Sequence, residues 1–227
     1  MSTKIGIHPE HAVKIPVDHG NLSGTLTFPH NTKGLVLFAH GSGSSRHSPR
    51  NQLVASILHD AGIGTLLFDL LGESEAEDRT NVFDINMLAQ RLEAAALWAH
   101  RQTETGQLRL GYFGASTGAA AALVAAARRQ TSVAAVVSRG GRPDLASDFL
   151  PQVEAPTLLI VGSHDYEVLE LNRQALARLH CEKELTLVRG ATHLFEEPGA
   201  LMQVAMLASA WFERYLRALK VPKTTAK

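Results

Sequence analysis

The sequence predicts an α/β fold, a mostly parallel central sheet with helices on both faces. Three observations predict it. Short apolar runs alternate with helical stretches through most of the chain, which implies right-handed crossovers between parallel strands. Five segments end in residues able to do chemistry: His40, Asp69, Ser116, Asp165 and His193. Sheets of this kind bind ligands outside the carboxyl ends of their strands. The third observation is Gly114-Ala115-Ser116-Thr117-Gly118, set between an apolar run at 108–113 and an Ala-rich stretch at 119–129. The first reads as a strand and the second as a helix. G-x-S-x-G in that context is a nucleophile elbow, a turn so sharp that the serine stands proud of the sheet on strained backbone.

In chain order, residues 12–17 and 22–28 bracket the turn Asp18-His19-Gly20-Asn21 and read as an antiparallel hairpin. Residues 35–39 form a buried-strand run that ends in His40-Gly41-Ser42-Gly43. An amphipathic helix over 51–61 closes at Gly62, a C-cap signal. Residues 64–68 are the next strand, ending at Asp69, which turns the chain into Leu70-Leu71-Gly72. Residues 84–101 have helical spacing, with Asp84 as N-cap. After the elbow come strands over 133–137, 157–161 and 185–188, and helices over 168–179 and 199–219. One domain is expected over 1–220, with a frayed polar tail at 221–227.

The 227 residues suit one domain with a sizeable core. Lys plus Arg and Asp plus Glu are both 22, so the net charge is zero, and no basic stripe points to nucleic acid. A single cysteine, Cys181, rules out an intrachain disulfide and agrees with a reducing compartment. The N-terminal stretch has no long apolar core like that of a signal peptide, and no apolar run is long enough to span a bilayer. These features predict a soluble cytoplasmic protein, and the serine chemistry set out next needs no metal or cofactor.

A serine hydroxyl needs a base within hydrogen-bond reach and a third group to orient that base. With this elbow the partners follow in the order serine, acid, histidine. Among the downstream histidines, His180 falls at a helix end and His164 lies beside Asp165, whereas His193 sits just past the last strand, where the base belongs. Asp165 ends an apolar strand run, while Asp144 and Asp148 lie in a stretch with helix-capping character. The competing reading of Asp165 is a plain N-cap. For the oxyanion, the donors expected are the N–H groups of Thr117 and Ser42, with Gly43 the near alternative to Ser42. His40 is expected to brace its loop rather than transfer protons.

These residues resemble the α/β-hydrolase superfamily over nearly the whole chain. The resemblance rests on the His40-Gly41 loop, the Gly114–Gly118 elbow, the Asp165 strand end and Gly190-Ala191-Thr192-His193. Within it the chain is most similar to small dienelactone hydrolase-like proteins, whose nucleophile is cysteine where this chain has Ser116. That departure implies a serine esterase acting on a small-molecule ester. Some relatives of this shape accompany phosphoribosyltransferase domains, and none is expected in these residues. Thioester, lactone or peptide substrates would use the same residues, and a noncatalytic binding protein of this fold is the reading from a different class.

Many α/β-hydrolases carry a helical cap after the sixth strand. Here only 144–150 is available for a helix in that gap, too short for a cap, so an open site with a preference for short acyl groups is expected. Two loops with arginines flank the expected mouth. Arg46 and Arg139 are candidates to hold a substrate carboxylate, against the commoner role of tying down the protein's own carbonyls and acids.

Overall fold

A computed structural model describes residues 8–18 and 20–217. His19 of the expected turn, the far end of the expected domain and the tail at 221–227 lie outside the described residues. Eight strands form one sheet: β1 (Glu10–Val17), β2 (Gly20–Thr27), β3 (Leu35–Ala39), β4 (Gly64–Phe68), β5 (Leu110–Ala115), β6 (Val133–Arg139), β7 (Thr157–Gly162) and β8 (Lys183–Val188). Their spatial order is β1-β2-β4-β3-β5-β6-β7-β8. The β1–β2 hairpin and the β2–β4 pairing are antiparallel, and every pairing from β4 through β3 to β8 is parallel. β3, β4, β5 and β7 are buried along their whole length, which is why they read as continuous apolar runs rather than alternating ones.

Helices cover both faces. On one lie α4 (Ile85–Arg101), α5 (Thr117–Arg128) and α6 (Tyr166–Arg178), with a 3₁₀ helix over Pro143–Gln152 packed between α5 and α6. On the other lie α1 (Pro49–Asp60) and α7 (Ala200–Leu216), against Phe38, Phe113, Val137 and Ile160. The expected caps are there. Asp84 accepts from the Met87 N–H at 3.0 Å, and Gly62 follows α1 with φ +78°. The β6–β7 connection is the 3₁₀ helix, whose Ala146 and Leu150 are core residues, so it forms no cap. Two short helices absent from the sequence-based element list, α2 (Glu73–Glu77) and α3 (Arg79–Phe83), sit between β4 and α4. Their sequence carries no apolar period, and neither buries a residue. Among the described residues no helix is long and apolar enough to cross a membrane.

One packing contact makes stability depend on pH. His59 of α1 bonds Thr65 Oγ1 of β4 at 2.7 Å. Burial, with a smaller push from the neighbouring His8, drives the His59 imidazole down to about 4 from 6.5. The folded protein therefore keeps His59 neutral where the unfolded chain protonates it. Its contribution is complete above pH 6.5 and is lost as pH falls toward 4. Urea midpoints at pH 4.5 and 7 should differ more for wild type than for His59→Gln; equal differences would remove His59 from the account.

Candidate active site

β5 ends at Ala115 and α5 begins at Thr117, so Ser116 alone makes the turn. Its backbone sits at φ 51°, ψ −121°, a region that costs a non-glycine residue about 1–3 kcal/mol. The strain is held from both sides. The Ser116 N–H donates to Arg139 O of β6 at 3.2 Å, and Ser116 O accepts from the Arg142 N–H at 3.1 Å. The flanking glycines are there for space. A Cβ on Gly114 would lie 2.4 Å from Ala119 Cα, and one on Gly118 would lie 2.1 Å from Ala39 O. Both contacts are with backbone and have no slack.

Asp165 follows β7 as the residue before α6, the place of an N-cap, yet its side chain makes no capping bond. It turns to His193, and Oδ2 lies 2.7 Å from Nδ1. The carboxylate accepts, so Nδ1 carries the proton and Nε2 is left as the basic face. The Asp165 side chain is 13% exposed and that of His193 39% exposed, so the acid is sheltered and the imidazole reaches solvent. The loop that carries His193 is tied down by three bonds. Gly190 N–H donates to Ser163 Oγ (2.8 Å), His164 N–H to Ala191 O (2.9 Å) and Thr192 Oγ1 to Glu197 (2.6 Å). His193 lies over the end of β6, its Cε1 3.6 Å from where a Gly140 Cβ would be. That is one strand from Ser116. Among the described residues no hydrogen bond joins the Ser116 hydroxyl to the imidazole. His164 and His180 are both exposed and face solvent.

The loop after β3 approaches the elbow closely. A Gly41 Cβ would lie 3.1 Å from Ser116 Cβ. The His40 imidazole is held below its ordinary pKa by burial. Its Nε2 accepts from the Leu70 N–H at 3.1 Å, which leaves Nδ1–H to donate to Gly41 O at 3.0 Å. His40 thus stitches the β3 loop to the end of β4.

Two site expectations meet competing partners, and a third residue is buried. The Ser42 N–H, expected to face an oxyanion, donates to Thr117 Oγ1 at 3.0 Å, because the Thr117 hydroxyl at the start of α5 lies across from it. Among the described residues the Gly43 N–H has no acceptor, so it is a free donor of this loop, and Gly43 is exposed at φ +67°. Arg46, expected to hold a substrate carboxylate, is neutralised instead. Its backbone N–H donates to Asp69 Oδ1 at 2.8 Å and its guanidinium pairs with Asp69 Oδ2. Asp69 thereby anchors the loop, a role that its place at the end of β4 does not reveal. Arg139, expected at the mouth, is buried, at 8% exposed.

A cavity of about 260 Å³ opens beside Thr117, lined by His40 to His47, by Leu70, Leu71 and Gly72, and by Ala76, Val82 and Leu88. Its far wall is α2–α3, so the unforeseen short helices shape the site. Asn172 is another residue the sequence does not flag. Buried in α6, it donates from Nδ2 to Gly141 O at 3.0 Å and so holds the turn after β6 beneath the His193 loop.

The model of the alpha/beta hydrolase fold matches residues 34–178. A Mycobacterium tuberculosis protein provisionally named a phosphoribosyl transferase is 60% identical over 195 residues, 86% of this chain; the chain spans 44% of that relative's length. The crystal structure of dienelactone hydrolase from Anabaena variabilis superposes with a TM-score of 0.90 at 55% identity, covering 92% of this chain and 99% of that one. Est1E from Butyrivibrio proteoclasticus shares the fold, with a TM-score of 0.77 at 16% identity over 89% of this chain and 98% of its own.

The close approach of α5 to β3 makes a direct prediction. Gly118→Ala should destabilise at the upper end of ordinary overpacking, about 3 kcal/mol. For a chain of this size that lowers Tm by about 6–12 °C. A variant melting within a degree of wild type would contradict the contact.

Proposed function

This chain belongs to the α/β-hydrolase fold family, on its dienelactone hydrolase-like branch, and we propose that it hydrolyses carboxylic esters of small molecules with Ser116 as nucleophile, His193 as base and Asp165 as its orienting acid. The observation that carries the proposal is the 2.7 Å bond from His193 Nδ1 to Asp165, one strand from a serine on strained elbow backbone. An aspartate that gives up a helix cap to hold an imidazole is hard to explain as architecture alone.

His193 Nε2 takes the hydroxyl proton as Ser116 Oγ attacks the ester carbonyl carbon. The resulting oxyanion is met by the Thr117 N–H and by an N–H of the 41–43 loop. Gly43 supplies it directly, or Ser42 does so by giving up the Thr117 hydroxyl. One such donor is worth about 10²–10³ in kcat. The carbonyl–oxygen bond to the alcohol breaks, and His193 returns the proton to the leaving alkoxide. Water, activated by the same imidazole, then releases the acid and frees Ser116. Asp165 stays ionised throughout, holding the tautomer and offsetting the imidazolium charge. The acyl group takes the cavity beside Thr117, where Leu70, Leu71, Val82 and Leu88 supply apolar surface.

A lactone is the second reading of the substrate, favoured by the 55% identity to the Anabaena variabilis protein named as a dienelactone hydrolase. A lactone is an internal ester, and its opening follows the same steps with the alcohol still tethered.

A fluorophosphonate probe should label wild type and fail to label Ser116→Ala or His193→Ala. Well-folded wild type left unlabelled would sink the proposal. Asp165→Asn should lower kcat by about 10³–10⁴ with KM little changed, since the wrong tautomer is then favoured. Among p-nitrophenyl esters, acetate and butyrate should be cleaved faster than palmitate, whose chain overruns a cavity of about 260 Å³; faster cleavage of palmitate would overturn the assignment of that cavity to the acyl group.

A further inference from the structure

The face of the sheet away from the acyl cavity carries an unexplained charge. Arg139, the last residue of β6, points to the α1–α7 side, where its guanidinium lies 5.9 Å over the Phe195 ring. It is 8% exposed and makes no side-chain hydrogen bond among the described residues, and its Nε is sealed from solvent without a partner. An unpaired Nε–H donor on a largely buried cation is a costly arrangement for a protein to hold. The small residual opening means that the group is buried yet reachable.

It is not alone there. Arg50, second residue of α1, meets Glu196 at a loose 3.5 Å, and its Nε is likewise sealed and unpartnered. Phe195 and Glu196 are neighbours in the loop that carries His193, so the two guanidinium groups converge on one short segment. The first turn of α1 contains no acid, so the positive end of a twelve-residue helix adds to the field. Burial and the nearby Arg50 charge push the Arg139 guanidinium down to about 10, the signature of a cation lacking its counter-ion.

We propose that Arg139 and Arg50 form a receptor for a small oxyanion, a carboxylate or phosphate group, seated between the end of β6, the first turn of α1 and the loop over residues 193–197. A guanidinium presents parallel donors that fit either group in bidentate fashion. An anion there supplies the missing acceptors, relieves the repulsion between the two arginines and braces the loop that carries His193. It arrives free or as part of an ester substrate.

The test begins with binding, which does not depend on esterase activity, so its failure is distinct from failure of the hydrolase reading. Sodium phosphate and sodium acetate are titrated into the full chain at an ionic strength held with sodium chloride, and thermal unfolding is followed. At tenfold over half-saturation, wild type should gain about 3–5 °C in Tm. Arg139→Met should gain nothing and Arg50→Gln clearly less. No gain in wild type, or the same gain in both variants, overturns the site. If Arg139→Met does not fold, the half-exposed Arg50→Gln decides the comparison. Kinetics then identify the source of the anion. Phosphate that inhibits cleavage of a hemisuccinate ester but not of a neutral acetate ester places the substrate's own carboxylate at the site. Phosphate that raises Tm and inhibits neither marks a free anion. Phosphate that competes with both esters lies over Ser116 instead, and overturns the proposal.

Discussion

The backbone at Ser116 cannot relax without dismantling its surroundings. At φ 51° and ψ −121° it is strained by itself, and it persists because its N–H and its carbonyl are both gripped by β6 and the turn that follows. That grip requires β5 and β6 in register through Ala115 and Arg139. It also requires α5 to start immediately and to lie flat on the sheet. Ala119, Ala120, Ala121 and Ala122 are fully buried, and Gly118 passes over the Ala39 carbonyl where no side chain fits. The small residues that follow the serine are therefore as much a part of the site as the serine, since any bulk there would push α5 away and open the turn.

The loops gathered round this turn are held by paired polar groups as well as by packing. His40 and Asp69, the residues that end β3 and β4, reach across to each other's loops. His40 accepts from Leu70, and Asp69 accepts from Arg46. Ser163 and Thr192 do the same for the loop of His193. Loops of this length lose considerable entropy when ordered. Each such bond contributes about 1 kcal/mol net. That is enough, with several acting together, to keep the His193 imidazole and the backbone donors of the 41–43 loop in one place on an exposed edge.

Much of this was legible in the sequence, and what was not has two causes. Residues whose position follows from chain order were readable. Ser116 is marked by spacing, Asp165 by the end of an apolar run, and His193 by its place after the last strand. The parallel sheet followed from the alternation of elements, and the caps at Asp84 and Gly62 from local chemistry. What could not be read depends on side chains meeting across long separations. Arg46 finds Asp69 over 23 positions, and the Ser42 N–H finds Thr117 over 75. No local pattern signals either. The helices at Glu73–Glu77 and Arg79–Phe83 escaped for a different reason. They bury no residue, so they lack the apolar period by which helices are recognised.

Several departures from ordinary protein architecture meet at one edge of the molecule. Of the four non-glycine residues with positive φ among the described residues, Asn31 lies in a turn and Arg129 caps α5, where left-handed backbone is common. The other two are Ser116 and Phe195, one at the elbow and one in the loop of His193. The acid that declines to cap its helix, Asp165, is there too, as is the buried cation without a counter-ion, Arg139. Local rules are broken where something other than stability was selected. Four independent violations at the carboxyl ends of β5, β6, β7 and β8, each disfavoured by itself, are poorly explained as accidents of folding.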